Sequence, residues 1–363
     1  MNTARRGTVV IYRLFDVADS ISLEQASRLV QRGETRRLDL KRLARRQVHM
    51  PAPPLSFELG QQRLNLDGQD FAIDTLARVF DFGVVSVILR VAIAPGTSLE
   101  ELIGINARLS EHSAVELLAK DLLLQVFDEL KAAMQKPHVS GFVEDYTITY
   151  VEEFAEPVDI ETLAKSTVLA RLLLAEDSPR GVSPEAVSDA LTSRFSYYPD
   201  ELAVIDWNSA FIYDTQGASD ISDLIEFASA QLLELRYYDD LLDREIVKMY
   251  EEVNLLRGAW RKNQYQAVAR RLMQVVLEVT ELTEKIDNSL KWVGDIYLAR
   301  VYAAASEEFN LARWQEQVER KLSLVNRVTE LLTNQINTDR TLLLETSVVF
   351  LIVLEVILAF VGR

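Results

Sequence analysis

The chain has 363 residues, of which 48% are hydrophobic, and carries 39 Lys and Arg against 55 Asp and Glu, a net charge of −16. That acidity argues against general nucleic-acid binding. Cysteine is absent, which excludes a disulfide framework and thiol catalysis and suits a reducing compartment.

The charge is unevenly placed. Residues 1–49 hold 11 basic against 5 acidic side chains, and residues 50–221 hold 11 against 28. In chain order, residues 8–14 (TVVIYRL) read as a strand. Ser22 can cap a helix over residues 23–31, with Gln25 completing a capping box. The run MPAPP at 50–54 is a stiff break. Residues 71–80 and 84–93 are β-rich apolar runs flanking Asp81-Phe82-Gly83, a tight-turn candidate. Helical periodicity covers 99–109 and 113–134, and residues 142–154 return to strand character. Short helices follow from 157 to 195, and residues 202–205 and 210–213 form a last strand pair. This half is expected to be an α+β domain, with residues 1–49 as its basic strand/helix arm and 50–221 as its acidic part.

From 222 to 340 there is no proline. Ile225, Ala228, Leu232, Leu235, Asp239, Leu242, Ile246 and Met249 step by three and four, a heptad seam. A second seam runs through Val268, Leu272, Val275 and Val279. A third helix begins near Ala312. The expectation is a long antiparallel, coiled-coil-like helical region.

Residues 341–361 (TLLLETSVVFLIVLEVILAFV) are the most apolar stretch. Twenty-one residues of helix reach about 31 Å, the thickness of a bilayer core. Glu345 and Glu355 interrupt it, at a cost smaller than the gain from its aliphatic side chains. The reading is one C-terminal transmembrane helix over 341–363, a tail anchor holding a cytoplasmic body to the membrane. An ionisable group in a span is a functional hypothesis by default, so Glu355, with Glu345, is a candidate membrane or oligomer contact. The alternative function is an oligomeric membrane protein with an ion- or metal-linked role at Glu355.

Other chemistry is sparse. No phosphate-binding glycine loop occurs, and His49, His112 and His138 fit no zinc spacing. His112 and Glu116 share a helix face as a surface pair. Asp239, Asp240 and Asp243 form an acidic knot, and Asp239 falls on a seam position. Asp239 and Asp243 are metal candidates for Mg²⁺ or Ca²⁺; as structure, Asp239 sets register through a basic or tyrosine partner. Arg28, Arg32 and Arg36, and Arg37, Lys41 and Arg45, make two basic stripes if helical. They would meet RNA, a ribosome, anionic lipid or the chain's own acidic domain. No cofactor is expected.

The run LIEFASAQLLELRYYDDLLDREIVKMYEEV (224–253) is similar to the most characteristic block of the "required for meiotic nuclear division" family. YYPDELAVIDWNSAFIYD (197–214) and RRLMQVVLEVTELTEKIDNSLKWVGDIYLARVY (270–302) resemble its strand pair and second helix, and the tail resembles its membrane span. The resemblance implies a membrane protein without recognised catalytic residues, with mitochondrial inner-membrane relatives tied to translation. The chain shows no Arg/Ser-rich leader, so a bacterial-type inner membrane is expected. Together these readings give a non-enzymatic, tail-anchored scaffold, a homo-oligomer with a possible ribosome- or RNA-associated partner.

Overall fold

The computed structural model describes residues 2–30, 35–37, 53–178, 180–217, 219–255, 262–290 and 296–361. Side chains at 37, 253–255, 262–266, 278, 282, 285–290, 332–347 and 353–361 lie outside that description. The chain forms two compact units. One comprises Met1–Tyr237 with Lys285–Trp314, the other Tyr238–Glu284 with Gln315–Arg363.

The first unit is built on a long opening strand, β1 (Thr3–Asp16), whose β-branched run favours extended backbone. Ser20–Ile21 (β2) precedes α1 (Leu23–Leu29), which Ser22 caps by accepting from the Gln25 amide. Then come β3 (Arg36–Arg37), β4 (Leu55–Leu66), β5 (Gln69–Val79), β6 (Val84–Ala92) and β7 (Thr97–Ser98). The helix α2 (Leu99–Glu111) starts from a full capping box, with Ser98 and Glu101 satisfying each other's amides. It is followed by α3 (Ser113–Leu130), β8 (Met134–Gln135) and β9 (Val143–Phe154). Three short helices, α4 (Ile160–Leu163), α5 (Thr167–Leu173) and α6 (Pro184–Ala190), lead to β10 (Ser193–Phe195), β11 (Leu202–Ile205) and β12 (Ser209–Tyr213).

The main sheet runs β10-β11-β12-β9-β1-β6-β5-β4-β3, with β7 beside β1. Its pairs are antiparallel except β12 with β9. The period-2 alternation of β1 divides its side chains between two buried faces. Val9, Ile11 and Phe15 join the core with Leu102, Leu109, Leu123 and Val126 of α2 and α3. Val10, Tyr12 and Leu14 take the opposite face, which α7 (Asp220–Leu255) covers. The polypeptide after α9 (Ile296–Glu308) covers it too, where Phe309 meets Tyr146 edge-on at 5.5 Å.

The turn expected at residues 81–83 joins β5 to β6. Gly83 has φ +106°, and a Cβ there would lie 1.8 Å from the Ala18 carbonyl oxygen, so only glycine fits. The strand β4 escapes a periodicity reading because its middle, GQQR at 60–63, is polar and mostly exposed. The Asp67-Gly68 turn, with φ of 51° and 85°, is the local signal that places it in a hairpin with β5.

The second unit contains the distal part of α7, most of α8 (Lys262–Leu290) and most of α10 (Leu311–Val361). Leu242 and Met249, Val268, Leu272, Val275 and Val279, and Val318 and Val325 are buried, at the seam spacing. Arg271 of α8 pairs with Glu245 and Glu252 of α7 at 2.9 Å.

The membrane span expected at the C-terminus is corrected. Among the described residues, no helix is long and apolar enough to cross a membrane. Residues 341–361 instead continue α10, a helix of 51 residues. Glu345 and Glu355 leave only nine residues between them, about 14 Å of helix against a bilayer core of about 30 Å. The transmembrane helix, the tail anchor and a single-pass membrane location are overturned together.

Candidate functional site

The polar heart of the first unit lies under the start of α7. Arg78 of β5 is on the sheet face that this helix covers. Its Nε donates to Ser56 Oγ of β4 at 3.0 Å. Its Nη1 donates to Asp223 Oδ1 at 2.8 Å and also to Glu226. Asp223 Oδ2 accepts from Ser219 Oγ at 2.9 Å. The three charged side chains are 8%, 4% and 0% exposed, so they satisfy one another rather than water. Burial disfavours a charged Arg78, but Glu226 and Asp223 more than compensate and raise its pKa. Burial outweighs Arg78 at Glu226, whose carboxyl is pushed up to about 7. Tyr12 of β1 lies close by, and burial, then Glu226 and Asp223, push its hydroxyl pKa upward. Phe80, Phe82 and Phe227 pack beside the cluster with ring centroids 5.3–6.2 Å apart.

Two further polar contacts fasten α7 farther along. Arg236 pairs with Glu144 of β9, whose carboxyl burial lifts to about 7 against the pull of the guanidinium. His138 Nε2 lies 3.0 Å from Asp16 Oδ2 at the end of β1, and its ring stacks on Tyr237 at 5.5 Å. The hydrogen bond to Asp16 raises the His138 pKa to about 9, against desolvation. None of these contacts is apparent from periodicity. The available signal is a charged residue inside an apolar pattern: Arg78 in FAIDTLARVF, and Asp223 and Glu226 on a helix face that is otherwise core.

The residues singled out from sequence fall elsewhere. Lys321 of α10 bridges Asp239 and Asp243, with Nζ 2.7 Å from Asp239 Oδ1 and 2.6 Å from Asp243 Oδ2. Burial opposes the Lys321 charge, but its hydrogen bonds to the two aspartates raise its pKa. A lysine therefore occupies the place a cation would take. No group of three metal-ligating side chains occurs among the described residues. Asp240 pairs with Arg244 on the surface.

Arg28 pairs with Glu24 within α1, which ends at Leu29. Arg36 is exposed on β3, and the backbone of Arg37 continues that strand. Arg28 and Arg36 are thus not on one helix. Arg32, Lys41, Arg45 and His49 lie outside the described residues, as do the side chains of Glu345 and Glu355. His112 accepts from the Ala114 amide and caps α3, while Glu116 pairs with Lys120.

In the second unit each helix carries large apolar side chains on its outer surface. Val247 and Tyr250 of α7 are 59% and 54% exposed, and Met273 and Leu277 of α8 are 47% and 63% exposed. On α10, Leu331 and the run Val348–Ile352 are exposed. Spacings of three and four place each pair on one side of its helix.

A mixed, mostly antiparallel sheet between helical layers, with a second unit of helices, is thus the architecture of this protein. The chain belongs to the family described as "Uncharacterized protein MJ0711, N-terminal domain", whose model matches residues 6–220. It is 26% identical over 243 residues to the uncharacterized protein MJ0711 of Methanocaldococcus jannaschii, covering 66% of this chain and 73% of that protein. No solved structure matches the chain.

Proposed function

We propose that this protein is a non-enzymatic scaffold that self-associates through its second, helical unit. The observation that carries the reading is the row of exposed apolar side chains on that unit, above all Val247 and Tyr250. Isolated exposed apolar residues are ordinary, whereas paired ones at helical spacing mark an interface. The flanking charges favour a second copy as the occupant. Arg244 precedes the pair, Lys248 lies within it and Glu251 follows it, all exposed. An antiparallel two-fold contact sets the basic end of one copy against the acidic end of the other. The ionic clusters at Arg78 and Lys321 support a structural role, because each charge there is matched by a partner.

Sedimentation of the full chain at about 50 μM tests the reading, a concentration well above the Kd of a stable dimer. A dimer is expected, and Val247→Glu should shift it to monomer without loss of helix content. A wild-type chain that sediments as a monomer refutes self-association. A ribosome- or RNA-associated partner stays part of the proposal through the likeness of residues 197–302 to the meiotic nuclear division family. Cosedimentation with ribosomes at low salt is its test, and free protein in the supernatant removes it.

A further inference from the structure

We propose that the cleft between β1, β6 and the first turn of α7 binds a small oxyanion, a carboxylate or a phosphate, through Arg90 and the hydroxyl of Tyr12. The cleft has a volume of about 150 Å³ and is lined by Tyr12, Arg90, Tyr150, Ser219, Ser222 and Asp223, among others. At about 30 Å³ per water in the liquid, it holds about five waters or one small anion. A macromolecule is excluded by size.

Three observations point to a ligand. Tyr12 is 3% exposed and lines the cleft, yet its hydroxyl has no hydrogen-bond partner among the described residues. The hydroxyl faces the open cleft with no protein group to bond among the described residues, so a polar guest there can take that bond. Arg90 makes no hydrogen bond or ion pair among the described residues. Its cross-strand neighbour Asp74 accepts from Gln61 instead. The floor residues Thr8, Val10, Tyr12, Arg90 and Tyr150 share one sheet face, as the registers Val10↔Arg90 and Thr8↔Tyr150 require. Third, α7 opens onto the same cleft. The Asp223 amide bonds the Ser219 carbonyl, which makes Ser219 the cap. The amides of Ile221 and Ser222, in the turn before it, have no carbonyl partner within the helix.

The nearby carboxylates do not reverse this preference. Asp223 and Glu226 are matched by Arg78, and Asp223 also accepts from Ser219. Arg90 also pulls the Glu226 carboxyl down through space, but it hydrogen-bonds neither carboxylate. An oxyanion seated against it would take a charge-assisted bond from the guanidinium and a neutral one from Tyr12.

Calorimetric titration of the full chain with inorganic phosphate, and separately with acetate, at constant ionic strength, tests the site. Saturable one-to-one binding of at least one anion is expected, and the anion that binds identifies the oxyanion class. Arg90→Gln should weaken it about tenfold or more, and Tyr12→Phe about two- to tenfold. Arg63→Gln, an exposed arginine on β4, should leave it unchanged. If Arg90→Gln does not fold, Arg90→Lys retains the charge and should bind more weakly than wild type because it lacks the guanidinium fork. No saturable heat with either anion up to about 50 mM, a Kd range no functional site of this kind would exceed, overturns the proposal. So does binding that is unchanged in the Arg90 variants.

Discussion

Replacing Arg78 by Met removes the only cation within hydrogen-bonding reach of Asp223 and Glu226 among the described residues and keeps most of the apolar stem. The two carboxylates are 4% and 0% exposed, so water cannot replace the guanidinium. Breaking a buried pair by deleting one partner costs about 3–5 kcal/mol, a large part of the roughly 5–15 kcal/mol that holds a domain together. The cost should depend on pH. Burial already raises the Glu226 carboxyl to about 7 while Arg78 pulls it down; without Arg78 it rises further. At pH 8 the variant buries uncompensated charge, whereas at pH 5 protonation relieves much of it. In the wild type, Glu226 binds its proton more tightly folded than unfolded, so its contribution falls as pH climbs from about 4.5 through about 7. Urea unfolding followed by far-ultraviolet circular dichroism at pH 8 and pH 5 measures both effects. A triple variant, Arg78→Met with Asp223→Asn and Glu226→Gln, should recover more than half of the loss at pH 8. A loss below about 1 kcal/mol at pH 8, or an equal loss at both pH values, refutes the account of this centre.

Two further outcomes follow from the first unit. The His138 pKa is raised from 6.5 to about 9 by its bond to Asp16, so its stabilisation is complete below pH 6.5 and is lost as pH rises through about 9. Discounted for its partial exposure, the effect is about 1–2 kcal/mol. The difference in urea midpoint between wild type and Asp16→Asn should therefore narrow over that window, and a constant difference contradicts the linkage. Gly83→Ala places a Cβ 1.8 Å from the Ala18 carbonyl at a φ of +106°. It should lower stability by about 2–4 kcal/mol, and a melting temperature within a degree or two of wild type would show that the turn relaxes freely.

Much of the fold is legible in the residues. The apolar alternation of β1, β5, β6 and β9 marks strands. Ser22 and Ser98 mark helix starts, and Gly83 marks the tight turn. The proline-free heptads of residues 222–340 mark the long helices α7, α8 and α10. The strand β4 is hidden because its polar middle at 60–63 breaks the apolar alternation, so Asp67-Gly68 is the local signal that betrays it. The apolar tail misleads in the opposite direction. A hydropathy sum over residues 341–361 favours a span, whereas the spacing of Glu345 and Glu355 leaves too short an uninterrupted run. Of the basic stripes, only Arg28 and Arg36 can be placed: α1 stops at Leu29 and Arg36 lies on β3, so the two do not share a helix face.

By itself, the sequence determines which segments are strands or helices, because period, caps and turn residues act within a few residues of one another. It also determines that Asp239 is an oddity on an apolar seam. Only the tertiary structure decides that Lys321 answers Asp239, that Arg78 answers Asp223 and Glu226, and that His138 meets Asp16. These partners lie from 82 to 148 residues apart in the chain, and nothing local encodes which charge will be carried to which. It likewise decides that Tyr12 and Arg90 meet the first turn of α7. Strand register brings together side chains that the linear order keeps far apart.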